Sequence, residues 1–214
     1  MSLLLSSVCK HESIILKAMD KFHSMTCIRF IPYNNSIDTY YTLIKKGEKF
    51  STLPGIHIES NVTTVTLDLD KEYGYKTRFR AITHELAHVV GLFHEHQRPD
   101  RDNFIETIQK NCLCTLLINN SDWNCKPYKK IIYYNFDKNV PHLMATINEK
   151  NIPEWFNHHF DQRSITYYPD CFTKKDYPQT LATVFSYQLS YYDIEKINKL
   201  YNCTKKKNLI NDSG

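Results

Sequence analysis

Five fixed positions, His84, Glu85, His88, Gly91 and His94, constrain this chain more than anything else in its sequence. His84 and His88 are four residues apart, so on a helix their imidazoles project side by side and can reach one metal ion. The spacing predicts that helix from about Thr77 to Val90, with Ile82, Leu86 and Val89 as a buried stripe on another face. Glu85 lies one step round from His84, beside the metal rather than on it, where a carboxylate can take a proton from water. Gly91 can adopt positive φ, ending the helix and turning the chain back, and His94 follows three residues later as a third ligand. Three protein ligands and one open position are the pattern of a catalytic zinc site, so a single Zn2+ ion is expected. His11, His23, His57, His96, His142, His158 and His159 lack ligand spacing and are read as surface or structural residues.

The rest of the composition narrows what surrounds that site. The 214 residues carry 27 Lys+Arg against 23 Asp+Glu, and a net charge of +4 does not point to a nucleic-acid partner. At 42% hydrophobic the chain is globular and long enough to bury a sizeable core as one domain or two intimate subdomains, and a monomer is expected. No run approaches the roughly 18 apolar residues of a membrane-spanning helix. Seven cysteines without a Cys-x-x-Cys pair favour disulfides and an oxidising, secreted setting. Asn34, Asn61, Asn119, Asn202 and Asn211 begin glycosylation acceptor triplets, so the chain is read as a glycoprotein.

Along the chain, residues 1–11 are read as a ragged start. Ile14, Ile15, Ala18, Met19 and Phe22 predict a helix from about Glu12 to Met25 that covers a sheet. Strands are predicted at Cys27 to Ile31, Tyr40 to Ile44, Gly55 to Ile58 and Val65 to Leu69. Asn119 to Leu189 is polar, aromatic and Pro-punctuated, and is expected to be mostly irregular. A last helix follows a capping arrangement at Ser190 to Asp193, with Ile194, Ile197, Leu200 and Tyr201 on one face. The expected organisation is one domain, 12–203, divided into subdomains of about 12–91 and 92–203, and a polar tail, 204–214.

The run His84-Glu85-Leu86-Ala87-His88-Val89-Val90-Gly91-Leu92-Phe93-His94-Glu95-His96-Gln97-Arg98-Pro99-Asp100-Arg101-Asp102 resembles the signature of the astacin metalloproteases, a branch of the metzincins. Thr26 to Phe30 resembles the strand after that family's first helix, and Tyr192 to Cys203 its closing helix. The resemblance implies an α+β, zincin-like fold: a twisted mixed sheet with two helices above a largely irregular C-terminal subdomain that ends in a helix. It implies a zinc endopeptidase that hydrolyses peptide bonds of extended protein substrates through a zinc-activated water. His84, His88 and His94 would be the zinc ligands and Glu85 the general base. Glu95 would partner the ammonium of a mature N-terminus, and Cys27 would be disulfide-bonded to Cys203. Arg98, Asp100 and Arg101 would support the fold.

Ser164-Ile165-Thr166-Tyr167-Tyr168 falls where the family typically reads Ser-x-Met-His-Tyr, so Thr166 replaces the methionine beneath the zinc ligands. Tyr168 falls at the tyrosine that stabilises the tetrahedral oxyanion. The family's second disulfide has no matching cysteines here. The N-terminal strand before the first helix and a propeptide are also expected to be missing. Cys9 is read as free or intermolecular, and Cys112, Cys114, Cys125 and Cys171 as forming bridges in the C-terminal half. A second reading follows from Thr166 and the missing strand: a binding protein that keeps zinc without efficient turnover.

Overall fold

The computed structural model describes residues 1–6, 8–55, 60–98, 100–107, 131–133, 145–147, 160–167, 172–174 and 186–203. The chain opens with strand β1, Ser2–Ser6, followed by helix α1, Glu12–Met25, and then strands β2, Ile31–Pro32, β3, Tyr41–Lys46, and β4, Val62–Leu67. These strands form one sheet in the order β2-β1-β3-β4, and every pairing among them is parallel. An antiparallel bridge between Ser51 and Thr66 on the outer side of β4 makes the sheet mixed. Helix α2, Tyr75–Val89, packs against α1.

One apolar core joins these layers. Ile14, Ile15, Ala18, Met19 and Phe22 of α1 meet Leu3, Ile44, Val65 and Leu67 of the sheet and Ile82, Leu86 and Val89 of α2. The 3.6-residue spacing of the α1 set puts all five on one stripe, as the sequence predicts. Beyond α2 come the short strands β5, Ile105–Thr107, β6, Ile131–Tyr133, β7, Ala145–Ile147, and β8, Phe172–Lys174. They pair antiparallel as β5 with β8 and β6 with β7. Helix α3, Tyr191–Leu200, closes the described chain, and its expected cap is a full capping box between Ser190 and Asp193.

The fold departs from the sequence expectations at three places. Residues 2–6 are not ragged: β1 lies between β2 and β3, so the strand expected to be missing is an internal one. The strand expected at Cys27 to Ile31 shrinks to Ile31–Pro32 because local bonds use the preceding polar groups. Thr26 caps α1 through its N–H and hydroxyl on the Phe22 carbonyl and receives the Ile28 N–H on its Oγ1. The Phe30 N–H goes to His23 Nε2, and the Arg29 guanidinium takes the Thr26 and Ile28 carbonyls. Gly55 is a turn residue at φ 80°, its N–H on the His88 carbonyl, while 56–59 of the predicted strand lie outside the described residues.

Cys27 and Cys203 are disulfide-bonded across a separation of 176 residues, tying the end of α1 to the end of α3. A loop that long makes the bridge worth about 5 kcal/mol in the chain-entropy model. A Cys27→Ser, Cys203→Ser double variant is therefore expected to lose about that much stability in urea unfolding. An unchanged midpoint would show that the bridge does not form in solution. Cys112, Cys114, Cys125 and Cys171 lie outside the described residues.

Candidate metal centre

The C-terminal half of α2 is buried on every face, from Ile82 through Val89. Its apolar stripe faces the core, and the histidine face is covered by the ligand loop and the turn around Ile165. The helix ends as the glycine requires. Gly91 sits at φ 97°, its N–H bonding to the His88 carbonyl and the Leu92 N–H to the Ala87 carbonyl, which is a Schellman closure. The chain then turns back and delivers His94.

The imidazole Nε2 atoms of the three histidines converge. His84 and His88 are 3.0 Å apart, His88 and His94 3.1 Å, and His84 and His94 3.3 Å. Each Nδ1 is already committed: His84 to the Ile165 carbonyl at 2.8 Å, His88 to the Leu92 carbonyl at 2.6 Å, and His94 to Gln97 Oε1 at 2.7 Å. Because those oxygens can only accept, each ring carries its proton on Nδ1 and directs an Nε2 lone pair inward. Burial lowers all three pKa values, to about 3 for His88 and His94 and well below the usual range for His84. The rings are therefore neutral. Three lone pairs facing one another repel unless a cation sits between them, and zinc about 2.0 to 2.1 Å from each nitrogen requires a comparable spacing. Among the described residues, this is the one group of side chains that could hold a metal ion.

Glu85 lies beside the cluster, 5% exposed, with Oε2 buried and without a hydrogen-bond partner among the described residues. Burial pushes its carboxyl up to about 8, opposed by a backbone hydrogen bond from Thr52. Ser51 pairs with β4 through Thr66, so the same short segment brings the sheet's outer edge to Glu85.

Glu95 is buried and held by two cations and a backbone N–H. Its Oε1 accepts the Asp161 N–H and the Arg98 guanidinium, and its Oε2 accepts the Lys196 ammonium. Burial alone would raise its pKa, but Lys196 and Arg98 outweigh that and hold it below its usual value. The resemblance implied the ammonium of a mature N-terminus as the partner of Glu95; in this structure Lys196 of α3 pairs with it. Arg98 also grips Asp100, and Arg101 donates to the His96 carbonyl, both supporting the loop after His94.

Ser164, Ile165 and Thr166 form a buried turn under the histidines, anchored to Asp193 of α3. Tyr168 lies outside the described residues. Tyr167 is buried, its ring edge-on to Phe160, and burial raises its phenol to about 12. Sequence reasoning missed Gln97, Thr52 and Lys196. Only Gln97 had a local signal, an acceptor three residues after His94 in a single 3-10 turn, Glu95–Gln97.

An α+β frame holding three neutral imidazoles at one point, with a buried carboxyl beside them, defines a protein with a mononuclear three-histidine metal site. The chain belongs to the astacin family of peptidases, whose family model matches residues 5–124. It is similar to zinc metalloproteinase nas-7 of Caenorhabditis elegans, 30% identical over 93% of this chain and 46% of that protein. It is also similar to astacin-like metalloprotease toxin 2 of Loxosceles intermedia, 31% identical over 90% of this chain and 67% of the toxin. The chain thus spans about half or less of the length of nas-7 and nas-14. High choriolytic enzyme 1, a hatching enzyme zinc-protease from Oryzias latipes, shares the fold with a TM-score of 0.68 at 23% identity, covering 95% of this chain and 90% of that one.

Proposed function

We propose that the chain is a zinc-dependent endopeptidase that hydrolyses internal peptide bonds of extended protein substrates. The observation that carries the proposal is the convergence of three Nε2 lone pairs beside the buried carboxyl of Glu85, whose Oε2 has no partner among the described residues. His84, His88 and His94 would hold one zinc ion, whose chemistry when bound is to polarise a carbonyl oxygen and acidify water. Glu85 takes the proton from the attacking water and returns it to the leaving amine. Tyr168 donates to the developing oxyanion. An extended peptide would lie along the sheet edge that Ser51 and Thr52 carry to Glu85.

We place the protein outside the cell, as a glycoprotein and a monomer. The Cys27–Cys203 bridge supports an oxidising compartment, as does similarity to a protein named as a toxin. Among the described residues no helix is long and apolar enough to cross a membrane. Of the acceptor asparagines, Asn34, Asn61 and Asn202 are exposed. The alternative of a zinc-bearing protein without turnover rested on a missing strand and on Thr166; the strand is present as β1, and Thr166 is bonded within the site. The test is incubation of the zinc-loaded protein with an unfolded protein substrate, with the products mapped by mass. Cleavage at internal bonds that a chelator abolishes is expected, and uncut substrate would overturn the proposal.

A further inference from the structure

Thr166 is 1% exposed, and its hydroxyl donates to the carbonyl of Phe93 at 2.9 Å. Phe93 immediately precedes His94, in the stretch between Gly91 and the 3-10 turn that belongs to neither helix. The third ligand therefore arrives on a loop, whereas His84 and His88 are set by the α2 backbone. The neighbouring residue of the same turn, Ile165, accepts the Nδ1–H of His84 on its carbonyl. One turn thus touches the ligand set from two sides, through a backbone oxygen on the helix side and through a side-chain hydroxyl on the loop side.

The turn is itself fixed. Ser164 Oγ stands 2.9 Å from Thr166 Oγ1, accepts the Thr166 N–H and donates to Asp193 Oδ1, while the Ile165 N–H donates to Asp193 Oδ2. Asp193 is fully buried and belongs to the capping box of α3. A continuous path of hydrogen bonds therefore runs from the start of α3 through Ser164 and Thr166 to the peptide that carries His94. A methionine at 166 has no proton to donate and makes no such bond.

We propose that Thr166 is a positioning residue for His94: its hydroxyl holds the Phe93–His94 peptide so that His94 Nε2 meets the other two nitrogens. This rests on the zinc reading of the site and extends it. Threonine at this position is then a functional substitution that sets the third ligand by a directional bond.

Thr166→Val keeps the shape of the side chain and deletes the hydroxyl, whereas Thr166→Ser keeps the hydroxyl and deletes the methyl. Zinc affinity of each is measured by competition with a chelator of known strength, and ligand geometry by the visible spectrum of the cobalt-loaded protein. Thr166→Val is expected to bind zinc about 10- to 100-fold more weakly, as for other groups that orient metal ligands, with an altered cobalt spectrum. Thr166→Ser is expected to keep the wild-type affinity and spectrum. A valine variant with wild-type affinity and spectrum overturns the inference, and so does a serine variant weakened tenfold or more. If the valine variant does not fold, the serine variant alone decides. Wild-type protein that takes up no zinc would instead overturn the reading of the site itself.

Discussion

Glu85→Gln is expected to fold, to bind one zinc ion per chain and to lose about 10²- to 10⁴-fold in turnover, the range for removal of a general base. The substitution is nearly isosteric at a side chain that is buried, so the packing around it is retained. The glutamine carbonyl can still accept the Thr52 N–H that the carboxyl accepts now. What disappears is the proton site at Oε2, the oxygen that has no partner among the described residues. Because the amide cannot take a proton at any working pH, the loss should appear in kcat as well as in kcat/KM. Elemental analysis for zinc and cleavage of a quenched fluorescent peptide check both halves. Hydrolysis within a few-fold of wild type would show that Glu85 is not the base.

His94→Ala should abolish zinc retention. It removes one of three nitrogen donors and leaves His84 and His88, 3.0 Å apart, with no third protein ligand. A three-ligand site shares its binding energy among few bonds, so losing one should weaken affinity by roughly 100-fold or more. The core is expected to survive, because His94 sits on the loop after α2 and the apolar cluster does not include it. His142→Ala is the matched control and should leave zinc bound. Full occupancy in the His94 variant, measured after dialysis against a weak chelator, would end the proposed ligand set.

How much of this was legible beforehand depends on the range of the signal. α1, α2 and α3 announce themselves because an amphipathic stripe is a local pattern, and the Ser190–Asp193 box marks a helix start within four residues. The metal ligands are legible for the same reason: one helical turn and a glycine-terminated loop fix three histidines within eleven residues. β1 was hidden because Leu3-Leu4-Leu5 is apolar at every position although Leu4 is exposed, so no alternation distinguishes it from a ragged apolar start. Cys27–Phe30 looked like a strand by composition, but a strand needs free backbone groups, and Thr26, His23 and Arg29 had taken them. Lys196 meets Glu95 across 101 residues of sequence, and Thr166 meets Phe93 across 73. No spacing rule reaches that far. Such pairs become visible only when α3 and the turn before it are packed against the metal loop.

The most direct test of the central claim is to add zinc stepwise to metal-free protein and follow bound zinc and peptide hydrolysis in the same sample. Hydrolysis that rises linearly and levels off at one zinc per chain is the expected result. One tightly bound zinc per chain with no cleavage of any internal peptide bond would contradict it.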